Sequence, residues 1–310
     1  MRIPKPILTA VIVALASPLG AAFSTPAHSE IQPESNPKVV LTLSTTKQSF
    51  VLNEPIVMTV ELQNTGNEPI RTLLLETGPM PEDIKLTIEK EGVREEYHDG
   101  LFIDLVVMDP LELQPGQRVA VDRSLFYNGR VGKQAFPSLG RYRIEARVYY
   151  QTQQPPATGA IEVMVVEPGE KDLALRDRLG SEGELVRLFT VGVTRYCRGS
   201  EEARCVQELK DAAFHQPESS YAPTIAWLLA SALNWKGLSV EPRENLREQV
   251  LNDFIERWPD HALAPGVLAS LVQIATRSGN SEKADRLKRE FASKYPNRRS
   301  VISSFTDTKE

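Results

Sequence analysis

The chain has 310 residues, with 36 Lys and Arg against 41 Asp and Glu and a formal net charge of −5. That balance argues against nucleic acid as a partner, because phosphate binding needs a concentrated basic face. The length exceeds what one hydrophobic core ordinarily organises, and 25% charged with 41% apolar residues is the composition of folded chains, so two globular domains are expected.

Met1 to Pro6 is short and basic, Ile7 to Ala16 carries no charge, Ser17-Pro18-Leu19-Gly20 ends the apolar run, and Ala22-Phe23-Ser24 offers a cleavage site. This is the layout of a secretory signal over residues 1–24. The run is shorter than the roughly 20 apolar residues of a spanning helix. No cysteine follows it to accept a lipid, and no later stretch has membrane length. The expectation is an exported protein, periplasmic or extracellular, with no integral membrane segment in its mature form. Removal of Arg2 and Lys5 with the signal takes the net charge from −5 to −7. Residues 25–35 are expected as a disordered lead.

Residues 36–167 then read as a β-sandwich. In Pro55 to Gln63, Ile56, Met58, Val60 and Leu62 alternate with Val57, Thr59, Glu61 and Gln63. Tyr142, Ile144, Ala146, Val148 and Tyr150 alternate with Arg141, Arg143, Glu145, Arg147 and Tyr149 in the same way. Shorter runs fit beside them: Leu41 and Leu43; Ile84, Leu86 and Ile88; Val119 and Val121; Ile161, Val163 and Val165. Asn64-Thr65-Gly66-Asn67, Glu91-Gly92, Gln114-Pro115-Gly116 and Asn128-Gly129 are turn signals between them. The spacing predicts about seven strands. Residues Phe50 to Asn64 resemble the opening strands of bacterial immunoglobulin-like domains, and Gly140-Arg141-Tyr142-Arg143-Ile144 resembles the strand of those domains that begins with a corner tyrosine. The resemblance implies a sandwich fold and leaves the ligand open. His98 with Asp99, Asp104 and Asp109 matches neither zinc nor calcium spacing and is expected as solvated loop residues.

The charge-rich, glycine-flanked segment 168–182 is expected as a linker or a short bridging helix. Residues 183–300 change to the helical period: Leu246, Val250, Phe254 and Trp258 share one stripe, as do Ala284, Leu287, Phe291 and Tyr295, with charges between. Gln216-Pro217 through Ala222-Pro223 aligns with Trp258-Pro259 through Ala264-Pro265 at an offset of 42 residues, and Tyr295-Pro296 begins a third copy 37 residues on. Those periods suit helix-turn-helix repeats. Leu271, Gly279, Ala284 and Pro296 give the last unit a resemblance to the divergent tetratricopeptide repeats of bacterial envelope proteins, over roughly residues 205–300. Val272 and Lys288 depart from that pattern, and a related α-hairpin stack is the alternative. The fold class expected is therefore an all-β immunoglobulin-like sandwich followed by an all-α helical-hairpin domain, with a disordered tail at 301–310. The resemblance implies a groove for a peptide or another envelope protein. Tyr221, Trp227, Trp235 and Arg277 are its candidate anchors if exposed, although aromatics at helical spacing mostly fill cores.

Cys197 and Cys205 would lie about 12 Å apart on one continuous helix, too far to bridge. The stop and cap signals in Arg198-Gly199-Ser200 allow a turn that joins them, and an exported chain favours a disulfide over free buried thiols. Their spacing is not that of a redox pair. No motif of nucleophilic, phosphate-binding, dinucleotide or metal chemistry is present, and His28, His98, His215 and His261 are scattered. The expected function is a non-catalytic, exported protein-binding module or scaffold, without cofactor or metal, its binding residues unassigned. The alternatives are a protease inhibitor acting through Gly78-Pro79-Met80-Pro81-Glu82, and a hydrolase built from carboxylates distant in sequence.

Overall fold

The computed structural model describes residues 39–72, 84–98, 111–150, 155–199, 201–234 and 243–296. The expected signal peptide, the segments 25–35 and 301–310, the loop 78–82, Asp99, Asp104, Asp109 and Trp235 lie outside them.

The first part is β-structure. Alternation in β3 (Ile56–Asn64) sends Ile56, Met58, Val60 and Leu62 inward, all fully buried. β3 is the centre of an antiparallel sheet, between β1 (Val39–Thr45) and β8 (Arg118–Leu125), with Val60 opposite Leu43 and Val121. A five-stranded sheet faces it, in the order β2 (Ser49–Val51), β12 (Ala157–Val166), β11 (Gly140–Val148), β5 (Ile84–Lys90) and β6 (Val93–Tyr97). Its pairings are antiparallel except β2 with β12. Inward residues of both sheets form one apolar cluster, including Tyr142, Ile144, Ala146 and Val148. At the seam, a Cβ added to Gly159 on β12 would stand 3.0 Å from the Leu41 carbonyl oxygen on β1, so a larger residue would push β1 away by a few tenths of an ångström. The Tyr142 hydroxyl donates to the Ser138 carbonyl at 2.8 Å and its ring meets Phe136 edge-on.

Two short pairs complete the region: β4 (Ile70–Thr72) with β7 (Leu111–Leu113), and β9 (Tyr127–Asn128) with β10 (Lys133–Gln134). Twelve strands thus stand among the described residues where turn spacing predicts about seven. Strands of two or three residues are too short to generate a period-two signal.

Seven helices follow among the described residues: α1 (Glu170–Arg178), α2 (Glu182–Tyr196), α3 (Glu202–His215), α4 (Ala222–Leu233), α5 (Arg243–Arg257), α6 (Ala264–Arg277) and α7 (Ser281–Lys294). The segment 168–182 is no free linker. It forms α1, whose Leu175 is fully buried in the helical core. Helix α2 breaks at Gly192, where φ is 70° and ψ 165°, a conformation that requires glycine. From α3 to α7 each helix packs on the next, and α2 packs on α4.

Three backbone bonds of the turn recur in the two copies of the internal repeat. Ser219 N donates to Gln216 O as His261 N does to Trp258 O, both at 3.1 Å. Ala222 N to Ser219 O matches Ala264 N to His261 O, and Ile225 N to Tyr221 O matches Val267 N to Leu263 O. In each copy the residue before the turn also caps it. Ser219 Oγ accepts from Tyr221 N at 3.3 Å, and His261 Nδ1 accepts from Leu263 N at 3.2 Å. Pro223 and Pro265 then occupy the first turns of α4 and α6, where the missing N–H has no intrahelical partner to lose. The third copy shares its entry: Tyr295 N donates to Phe291 O at 2.8 Å, as Trp258 N does to Phe254 O.

Candidate functional site

The β and helical regions meet at the turn between β2 and β3, Val51-Leu52-Asn53-Glu54. Asn53 adopts φ of 69°, a left-handed conformation that asparagine tolerates better than most residues. Its amide is buried, accepting from Gln134 Nε2 at 2.7 Å and donating to Glu182 Oε1, at the start of α2, at 2.9 Å. Leu52 offers its carbonyl to the Tyr221 hydroxyl at 2.6 Å. Val51 lies in the apolar cluster of the helices rather than that of the sheets. Phe126, just past β8, meets Phe189 of α2 edge-to-face at 5.4 Å, and Phe189 leans on Tyr221.

Buried charge surrounds this contact. Glu54 is 6% exposed, accepts from Val51 N at 2.9 Å and takes Lys47 Nζ on both carboxylate oxygens, at 2.6 and 2.8 Å. Burial still raises its pKa above the ordinary glutamate value, against the pull of Lys47. Asp172 of α1 accepts from Ser219 Oγ and Ser220 N through Oδ1 and from Gly169 N through Oδ2. Burial, reinforced by Asp172 and Glu54, pushes the Tyr221 phenol up, so it remains a donor. These groups are each satisfied by fixed partners, an arrangement suited to holding two regions in one orientation.

Cys197 and Cys205 form a disulfide, with Cα atoms 5.5 Å apart, tying the end of α2 to α3. Among the described residues no group of three or more His, Cys, Asp or Glu is placed to hold a metal. His98 lies beside Glu96 and Arg130 on the β-region surface, and His215 is exposed near Asp211. His261 is turned into the structure against Phe254; burial, then the charge of Lys47, lowers its pKa to about 4.

The candidate anchors divide. Tyr221 is fully buried and belongs to the junction, and Trp227 is half-buried against the helical core with its ring over Gly266 of α6. Arg277 is exposed at the end of α6. Near it stands a charged residue on the buried face of α5, three, four and seven positions before Val250, Leu251 and Phe254. Arg247 is only 7% exposed, and its Nε is buried without an acceptor. That spacing from Val250, Leu251 and Phe254 was the available signal.

No family model matches the chain, and no curated protein matches it. Solved structures match in part. The CARDB domain of PF1109 from Pyrococcus furiosus is 13% identical, with 42% of this chain and 94% of that one covered and a TM-score of 0.24. The sporulation control protein Spo0M from Bacillus subtilis is 13% identical over 46% of this chain and 56% of its own, with a TM-score of 0.25. A β-glucosidase from Erythrobacter marinus is 17% identical over 41% of this chain, with a TM-score of 0.26, and the match spans 15% of that enzyme. Likeness at this level identifies neither a family nor an activity. No helix among the described residues is long and apolar enough to cross a membrane.

Proposed function

We propose that this chain is a non-catalytic, exported protein-binding module of the cell envelope, in which an immunoglobulin-like sandwich carries a tetratricopeptide-like helical stack that engages another protein. The observation that carries the reading is the repeat. The turns into α4 and α6 use the same hydrogen bonds 42 residues apart, and stacked repeats of this kind present extended surfaces to partners. The bond from the Tyr142 hydroxyl to Ser138, four residues upstream, supports the corner-tyrosine comparison. The Cys197–Cys205 disulfide fits an oxidising compartment.

Site-specific photocrosslinking in the full chain, expressed in its native cell, tests this. A photoreactive residue at exposed Asn245 or Asp285 of the stack is expected to give one discrete adduct with the same protein, and one at Val93 on the β region is not. No discrete adduct from the stack, or robust turnover in a hydrolase panel abolished by one carboxylate substitution, would overturn the reading.

A further inference from the structure

Helices α5 and α6 are consecutive, packed and joined by a short turn, so the beginning of α5 lies beside the end of α6. That geometry brings Arg247 next to Arg277. A guanidinium stays charged at any ordinary pH, and buried charges in proteins are normally paired and hydrogen-bonded. Arg247 is an exception: 7% exposed, its Nε sealed off without an acceptor, and with no hydrogen bond or ion pair to it among the described residues. Its surroundings deepen the imbalance. Burial and the neighbouring Arg277 both disfavour its charge, and Glu244, one turn earlier on α5, alone offsets them.

We propose that Arg247 and Arg277 receive a glutamate or aspartate side chain from an acidic segment of the partner protein, an inference that rests on the helical stack being the binding surface. Arg277, at the exposed end of α6, makes the first contact. Arg247 supplies its terminal guanidinium N–H groups, its Nε being sealed off, so that the incoming carboxylate forms charge-assisted bonds. Two arginines and Glu244 leave one net positive charge, which matches a single carboxylate better than a phosphate dianion. The acidic balance of the whole chain repels extended polyanions such as nucleic acid.

The test uses the full chain and a fluorescein-labelled octapeptide with three glutamates in a glycine–serine background and an amidated C-terminus. Its glutamine counterpart, amidated or with a free C-terminus, and inorganic phosphate as competitor complete the set. The glutamate peptide is expected to bind, the amidated glutamine peptide not to bind, and Arg277→Gln and Arg247→Met each to weaken binding tenfold or more. Without peptide, Arg247→Met is expected to raise the thermal midpoint, because it replaces a buried charge that Glu244 offsets only in part by an apolar chain of similar length. Undiminished binding by either variant, or a lowered midpoint in Arg247→Met, would overturn the proposal. So would stronger binding of the free C-terminus glutamine peptide, or displacement of the glutamate peptide by equimolar phosphate. If the photocrosslinked adduct forms equally in wild type and Arg277→Gln, this inference fails and the stack reading stands; if wild type gives no adduct, the stack reading itself fails.

Discussion

The Tyr221 hydroxyl is a single atom that joins two regions, bonded at 2.6 Å to a carbonyl 169 residues away in sequence. Tyr221→Phe keeps the ring packed and leaves the Leu52 carbonyl without its donor, a loss of roughly 1–3 kcal/mol. A lowered urea midpoint with unchanged slope is the expected result. His261 makes a second prediction through pH. Its Nδ1 lone pair holds Leu263 N, and its folded pKa of about 4 lies below the unfolded 6.5. The unfolded chain therefore binds the proton first. The contribution of His261 to stability is intact above pH 6.5 and falls as pH drops toward 4, by no more than about 3 kcal/mol. Ser219 performs the same capping in the first copy with a group that does not titrate. His261→Ser is accordingly expected to keep the turn and flatten stability between pH 6.5 and 4, measured as urea midpoints across that range.

At the level of elements, the disulfide closes the short connection between α2 and α3, and that closure is worth roughly 2–3 kcal/mol by chain entropy. The double variant Cys197→Ser/Cys205→Ser is expected to lose about that much by denaturant titration, with unchanged far-ultraviolet circular dichroism. Elements with local causes were legible in the sequence. Alternation put Ile56, Met58, Val60 and Leu62 on the inner face of β3, and the proline-bounded turns before α4 and α6 announced themselves by their spacing. What escaped has distant causes. Asn53 and Glu54 look like solvent-exposed turn residues, yet both are buried and the Asn53 partner on α2 is 129 residues away. Arg247 sits among the charges of an amphipathic helix, and it leaves water because it lies on the face of α5 that is buried where α4 and α6 pack. Helix α1 was one of two forms expected for the segment 168–182, left open because its sequence is mostly charged and one buried leucine, Leu175, does the anchoring.

Over the whole molecule, the turn between β2 and β3 couples two cores that could otherwise melt separately. Wild type is expected to unfold in one calorimetric transition, with calorimetric and van't Hoff enthalpies equal. Removing both polar ties at once, in Asn53→Ala/Tyr221→Phe, is expected to separate that transition into two. A single undivided peak in the double variant would mean that Phe126, Phe189 and Val51 suffice to couple the regions.

Val51 belongs to a strand of one region and to the apolar core of the other. A cut placed anywhere after β12 therefore removes a valine side chain from the helices, along with the acceptor of Tyr221, and leaves a vacancy in their interior. The helical part is in this sense unfinished without residues made long before it. The β region precedes the helices in the chain, so its turn is made before α1, α2 and α4, which pack around it. The helical stack is thus poorly suited to being transplanted onto another carrier, and the pair is better regarded as one heritable unit.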